Sequence, residues 1–418
     1  MDAVDNTILI RLRDTIERAL RVPHYRSAFA NVGIASAEDI QTIEDFQKIP
    51  VTHKEDLRQN YPIGLFAEPL ENIVRIQASS GTTGKMTVVG YTAKDIDMWA
   101  AAVAKALERA GITPQDIVQV GYGYGLFTGG LGLHYGSERL GALTIPLSGG
   151  NTERHIAFLR DLKSTVLACT PSYALHIAAA AADMGLTPKD FHLRVGVFGA
   201  EPWTEAMRGE IKQRLGLERA LDIYGLSEVM GPGVAMECVH MKGLHLAPNF
   251  YPEILDDQGR VVPQGRKGEL VLTSMGKEAF PSVRYRTKDL TTLTYGHCAC
   301  GFCGWSLEKI SGRVDDMLII RGVNVFPSQI EEAILAVEGI EPHYLIVVDR
   351  QGALDALEVQ VEVAPEVVDE ISLLEDLREK LSQRIYTILG LGARVRFVEP
   401  RSLPRSEGKA VRVLDKRK

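Results

Sequence analysis

The run Ser79-Ser80-Gly81-Thr82-Thr83-Gly84-Lys85 sets hydroxyls, glycines and an ammonium side by side. Backbone N–H groups and side chains in such a loop can wrap a polyphosphate together. It is not a Walker A loop, because G-x-x-x-x-G-K-[ST] needs glycine where Ser79 stands and a hydroxyl where Met86 stands. A P-loop ATPase or GTPase is therefore disfavoured, and a plain Ser/Thr/Gly surface loop stays open. A second set joins Cys298-Ala299-Cys300 to Cys303 and His297, with Cys238, His240 and His245 upstream. C-x-C near a further Cys, with a Cys/His pair elsewhere, is structural-zinc spacing, the alternative being unpaired thiols. Taken singly, Tyr224, Glu228 and Asp289 have ordinary readings: a core aromatic, a helix-start charge and a turn residue. Cys169 ends an apolar strand and reads as core.

Elements must position these residues. From Asp95 to Arg109 the apolar spacing is helical, opened by a capping box over Thr92-Ala93-Lys94-Asp95 and stopped by Gly111. Beyond it, apolar runs at Ile117 to Val120, Ala142 to Pro146, Thr165 to Cys169, Arg194 to Phe198 and Ala220 to Tyr224 alternate with helical stretches such as Thr152 to Leu162 and Thr204 to Leu215. That alternation predicts parallel strands with crossover helices. Each strand ends in a polar or glycine-rich corner, and such corners form the rim of a ligand site in open α/β sheets. Between Glu253 and Thr273 the texture turns to hairpins around Asp256-Asp257-Gln258-Gly259 and Gly265-Arg266-Lys267-Gly268. From Met317 onward a compact α+β domain is expected, its helices Ser328 to Val337 and Ser372 to Leu389 both opening with capping boxes.

The predicted fold is α/β. Parallel α/β sheets and a small β-subdomain (about 250–311) make up a domain over 1–312, followed by a hinge at 313–316 and a small mobile α+β lid over 317–418. With 418 residues, 45% of them apolar, the chain can bury a large core. Net charge is 47 − 54 = −7, against nucleic acid or an anionic membrane as the main partner. The first twenty residues have no continuous apolar stretch, and no run approaches the ~20 residues of a bilayer span, so a cytoplasmic location is expected.

Several further stretches share one likeness. They are Tyr122-Gly123-Tyr124-Gly125-Leu126-Phe127-Thr128-Gly129-Gly130, Phe198-Gly199-Ala200-Glu201-Pro202-Trp203, Tyr224-Gly225-Leu226-Ser227-Glu228-Val229-Met230-Gly231-Pro232-Gly233, Gly312-Arg313-Val314-Asp315-Asp316-Met317 and Leu403-Pro404-Arg405-Ser406-Glu407-Gly408-Lys409. In order over nearly the whole chain they resemble the phenylacetate-CoA ligase family of the adenylate-forming acyl- and aryl-CoA synthetases, with an N-terminus shorter than is usual there.

The resemblance implies an AMP-forming acid–thiol ligase using an aryl acid, ATP, Mg2+ and coenzyme A. The alternative is a benzoate-type adenylating enzyme that delivers the acyl group to a carrier protein or a small amine or hydroxyl. It implies that Ser79 to Gly84 and Lys85 hold the triphosphate, that Tyr224 stacks on adenine, and that Gly199, Ala200, Glu201 and Pro202 form the opposite wall. Asp222, Ile223, Gly225 and Ser227 belong to the same nucleotide site, and Glu228 offers Mg2+ a hard oxygen. Asp289, near Arg313, would accept the ribose hydroxyls. Lys409 would bridge the substrate carboxylate and the α-phosphate, Asp315 would be the hinge position, and Gly322 would leave room for a pantetheine arm. The acid pocket would use Tyr122, Phe127, Leu133, Ala200, Gly225 and Met230. Leu133 would shorten it towards a benzoate-type acid, the alternative being that it packs under the sheet. Structural zinc would sit on Cys238, His245, Cys298 and Cys300, with Cys303, His297 or His240 as replacements. A homodimer is the assembly kept in view.

Overall fold

In the computed structural model, residues 2–79, 86–321, 323–351, 354–364, 367, 370–404 and 411–417 are described. Ser80, Gly81, Thr82, Thr83, Gly84, Lys85, Gly322 and Lys409 lie outside them.

An antiparallel ribbon opens the strand system: β1 (Arg75–Ser79) pairs with β2 (Thr87–Tyr91), Ser79 facing Thr87. β3 (Ile117–Val120), β4 (Leu143–Pro146), β5 (Val166–Cys169), β6 (Val195–Gly199) and β7 (Arg219–Leu226) follow. These five run parallel in the order β4-β3-β5-β6-β7, and β5 and β6 are buried along their whole length, as continuous apolar runs covered on both faces should be. The capping box at Thr92 starts the helix Ala93–Arg109 where the sequence predicts it. Thr204 likewise caps Glu205–Leu215 through the backbone N–H of Met207.

The hairpins do not stand apart from the parallel strands. β8 (Gly231–Glu237), β9 (Leu244–Leu246), β10 (Phe250–Leu255), β11 (Lys267–Ser274), β12 (Tyr285–His297) and β13 (Cys303–Leu307) extend the same sheet in the order β7-β8-β9-β13-β12-β11-β10, making eleven strands. The join is β12, whose first part pairs with β11 and whose last five residues pair with β13. At 13 residues it reaches both neighbours, so the expected subdomain is continuous with the main sheet.

Beyond Gly312, the hairpin β14 (Leu318–Ile320) and β15 (Val323–Val325) precedes β16 (Ile340–Gln351), β17 (Leu354–Val363), β18 (Arg394–Val398) and β19 (Val413–Asp415). The last four form a sheet in the order β18-β17-β16-β19, with a core of its own around Ile330, Ile346, Val359, Leu381 and Ile385. Its helices begin before the expected caps. One is Pro327–Leu335, with Gln329 accepting the N–H of Phe326, and the other is Ile371–Leu389. Proline is preorganised for the first helical turn, which places the start ahead of Ser328. Arg214 and Glu341, 3.3 Å apart, tie this unit to the large sheet, and Leu335 packs against the cluster of Ile211 and Leu215. Among the described residues no helix is long and apolar enough to cross a membrane.

Candidate active site and metal centre

Strand ends deliver the site. Gly199 ends β6 and Tyr224 lies near the end of β7, where the backbones approach so closely that a Cβ on Gly199 would meet the Ile223 carbonyl at 2.0 Å. Ala200 follows in the left-handed region at φ 70°, a strained conformation of the kind that gathers at functional sites. Glu201 accepts the N–H of Ser172 at 2.7 Å, drawing the corner after β5 to the corner after β6.

Tyr224 donates its hydroxyl to Asp289 Oδ2 at 2.5 Å, and Arg313 donates to Asp289 Oδ1 at 3.0 Å. The same guanidinium holds both carboxylate oxygens of Asp315 at 2.9 and 3.0 Å. One chain of contacts thus runs from the expected adenine platform to the expected hinge. Asp222, one strand position from Ile223, is buried beside Glu237, Arg208 and Lys309. Burial pushes its carboxyl up to about 6, Glu237 adds to the rise, and the Lys309 and Arg208 charges oppose it.

Glu228 is buried behind the ribbon, where it accepts the hydroxyls of Ser79 at 3.0 Å and Thr87 at 3.3 Å. Lys54 lies 2.9 Å from the same oxygen. Burial alone would raise this carboxyl, but the Lys54 charge and hydrogen bonds, with Ser79, hold it below the ordinary glutamate range. An ionised carboxylate bonded to Ser79, the first residue of the expected phosphate loop, offers the hard oxygen that Mg2+ prefers. Lys54 was not singled out in the sequence, where it is an isolated lysine outside any motif. Its place comes from Thr52, which bonds the backbone of Arg284 and Arg286 at the start of β12 and anchors the helix Lys54–Gln59 that follows.

Tyr122, Phe127, Gly129, Ala200, Gly225 and Ser227 line one cleft together with Thr128, Ile223, Leu226 and Pro232. Leu133 and Met230 are not among its lining side chains. Both are buried in the main core, and the Met230 carbonyl accepts the Tyr91 hydroxyl. Burial in that core is what the packing reading of Leu133 expects.

At the far end of β8, the ligand atoms of Cys238, His245, Cys298 and Cys300 all lie within 4.8 Å of one another. Cys238 and Cys298 sulfurs are 3.7 Å apart, and Cys300 is 3.4 Å from His245 Nε2. A tetrahedron of zinc–sulfur bonds of about 2.3 Å has edges of about 3.8 Å, so the donor set fits. His245 Nδ1 bonds Ser306 at 2.9 Å and its ring stacks on Phe302, which orients Nε2 towards the thiols. Burial holds this imidazole down to about 4, in the neutral form a ligand requires. The His240 N–H points at the Cys238 sulfur, and Cys303 pairs with His297 at 3.6 Å outside the set of four.

An AMP-binding enzyme model matches residues 14–276, and an AMP-binding enzyme C-terminal domain model matches residues 322–417. The phenylacetate-coenzyme A ligase of Pseudomonas putida is 51% identical over 423 residues, covering 100% of this chain and 95% of that protein. This chain belongs to the phenylacetate-CoA ligase family. As a member of that AMP-forming family it resembles solved acyl-CoA ligases. A 2-hydroxyisobutyryl-CoA ligase in the postadenylation state, in complex with R3-HIB-AMP, aligns with a TM-score of 0.92 at 30% identity, over 99% of this chain and 90% of that one. The same ligase with 2-HIB-AMP and CoA in the thioesterification state aligns at 0.72 over 100% and 90%.

Proposed function

We propose that this chain is an ATP-dependent ligase that joins an aryl acid to coenzyme A through an aryl-adenylate. The reading rests most on one observation: the cleft at the strand ends is lined by Ile223 and Gly225, the chain neighbours of Tyr224, which bonds Asp289, and by Ser227, the chain neighbour of Glu228. A bound nucleotide and a small acid would therefore share one rim, as adenylation requires.

In the first half-reaction the acid's carboxylate attacks the α-phosphorus of ATP and pyrophosphate leaves. Tyr224 stacks on adenine, Asp222 offers its exocyclic amine a buried acceptor, and Asp289 takes the ribose hydroxyls. The loop Ser79 to Lys85 holds the phosphates. Glu228 would hold Mg2+, which supplies charge neutralisation on the phosphate oxygens when bound. Lys409, outside the described residues, would place its ammonium on the developing charge. In the second half-reaction the thiol attacks the acyl carbon and AMP leaves, with Gly322 beside the pantetheine arm. A lid over 317–418 turning on 313–316 against a domain over 1–312 would exchange these two faces. Cys238, His245, Cys298 and Cys300 would hold a structural zinc ion, and the enzyme would work in the cytoplasm.

Pyrophosphate release screened over aryl acids, with and without CoA, tests this reading. Acid-dependent pyrophosphate and a CoA thioester are expected. Pyrophosphate with no thioester would turn the assignment to a carrier protein or small amine acceptor, and no pyrophosphate with any aryl acid would overturn it. Lys409→Ala should slow adenylation by roughly 10²–10³ while supplied aryl-adenylate still yields thioester. Asp315→Pro should let adenylate accumulate, because a fixed φ stiffens the hinge.

A further inference from the structure

Lys277, just beyond β11, is 1% exposed. Its ammonium donates to the Val229 carbonyl at 3.2 Å and lies 4.3 Å from the centre of the Tyr91 ring and 5.4 Å from that of Phe280. Tyr91 donates its hydroxyl to the Met230 carbonyl at 2.7 Å and stacks on Trp99, whose indole N–H donates to the Pro232 carbonyl at 2.9 Å. Side chains from three separate elements thus hold three carbonyls of one short stretch. Glu228 stands at its head, and Ser227 and Pro232, on either side, belong to the wall of the cleft.

A buried ammonium is expensive unless it is well compensated. Here one carbonyl, two aromatic faces and the through-space charge of Asp95 share that task. The Asp95 carboxylate is itself fixed by the N–H groups of Thr92, Glu278 and Ala279 at 3.0, 2.7 and 3.0 Å. A leucine or methionine would fill the same volume at lower cost, so the charge calls for a reason beyond packing.

We propose that Lys277 is a positioning residue for adenylation, its ammonium acting with Tyr91 and Trp99 to fix the backbone from Glu228 to Pro232 and so the place where carboxylate and cleft wall meet Mg-ATP and acid. This rests on the aryl-adenylation reading. Burial lowers the Lys277 ammonium to about 8, against the pull of Asp95. Of the other charged groups around it, Glu278 is taken by Lys94 at 2.8 Å and Glu228 by Lys54 at 2.9 Å, and burial pushes the Tyr91 phenol above its ordinary value. Neutralising Lys277 as pH rises through about 8 removes the charge that grips the Tyr91 ring.

The experiment is Lys277→Met, compared with wild type for melting temperature, Mg2+ dependence and pyrophosphate release on both sides of pH 8. The variant should melt at the wild-type temperature or above it, yet lose on the order of 10- to 100-fold in adenylation kcat, the scale of a small misplacement of reacting groups. Its half-saturating Mg2+ should rise, and the fall in wild-type rate above pH 8 should be absent. A folded variant with wild-type kcat, Mg2+ dependence and pH profile would overturn the proposal. Should Lys277→Met fail to fold, Tyr91→Phe keeps the ring under the ammonium and removes only the bond to Met230. It should raise half-saturating Mg2+ in the same direction, and unchanged dependence there overturns the proposal too. A wild-type enzyme that adenylates no aryl acid would instead fail the underlying reading, so the two failures stay apart.

Discussion

Lys54 Nζ stands 2.9 Å from Glu228 Oε1, so a lysine at the first turn of a short N-terminal helix neutralises the carboxylate expected to carry Mg2+. The pair settles a contest between burial, which would protonate Glu228, and charge, which keeps it ionised.

Removing Lys54 should reverse that contest. Glu228 is held below its ordinary value, so it stays ionised until pH falls through its folded value. Lys54→Met should let burial prevail and move the acid limb of the adenylation rate to higher pH. A pH profile of pyrophosphate release measures the displacement, and an unmoved acid limb would show that the hydroxyls alone keep Glu228 charged.

Asp222 shows the opposite sign. Its folded value of about 6 lies above that of an unfolded aspartate, so the stability linked to its proton is present at low pH and is lost as pH rises through about 6. Asp222→Asn should therefore be more stable than wild type by up to a few kcal/mol at neutral pH, with the advantage vanishing below about pH 4. Denaturant unfolding at the two pH values tests this. KM for ATP should rise in the same variant, because an amide is a weaker acceptor than a carboxylate for the adenine amine.

For the thiol cluster, elemental analysis should find about one zinc per chain. A structural metal contributes folding free energy, so Cys298→Ser should lower the melting temperature more than it lowers turnover of the enzyme that remains folded. Metal-free protein of unchanged stability would remove zinc from this description.

Leu133→Ala should behave as a core truncation. The side chain is fully buried in the main cluster, so a loss of roughly 2–5 kcal/mol is expected. The acid profile should stay as it was, whereas a shift towards longer acids would return Leu133 to the pocket.

Local pattern was enough for much of this protein. The capping box at Thr92 and Asp95, the continuous apolar runs of β5 and β6 and the glycine-rich corners each act over a few residues, so their meaning is written in adjacent positions. The Cys and His spacing likewise marked a metal-type cluster, the family resemblance narrowed it to Cys238, His245, Cys298 and Cys300, and the fold brings those four together. Neighbouring residues did not reveal which distant groups meet. Lys54 reaches Glu228 only because Thr52 is pinned to the start of β12, and Lys277 reaches Val229 only because the segment after β11 packs under Tyr91. Leu133 has the residue type of a pocket wall, and its burial in the main cluster depends on contacts between distant segments that the sequence does not show. Burial and ion pairing depend on contacts between segments far apart in the chain, so the charge of Glu228, the raised value of Asp222 and the cost of Lys277 were decided by tertiary structure alone.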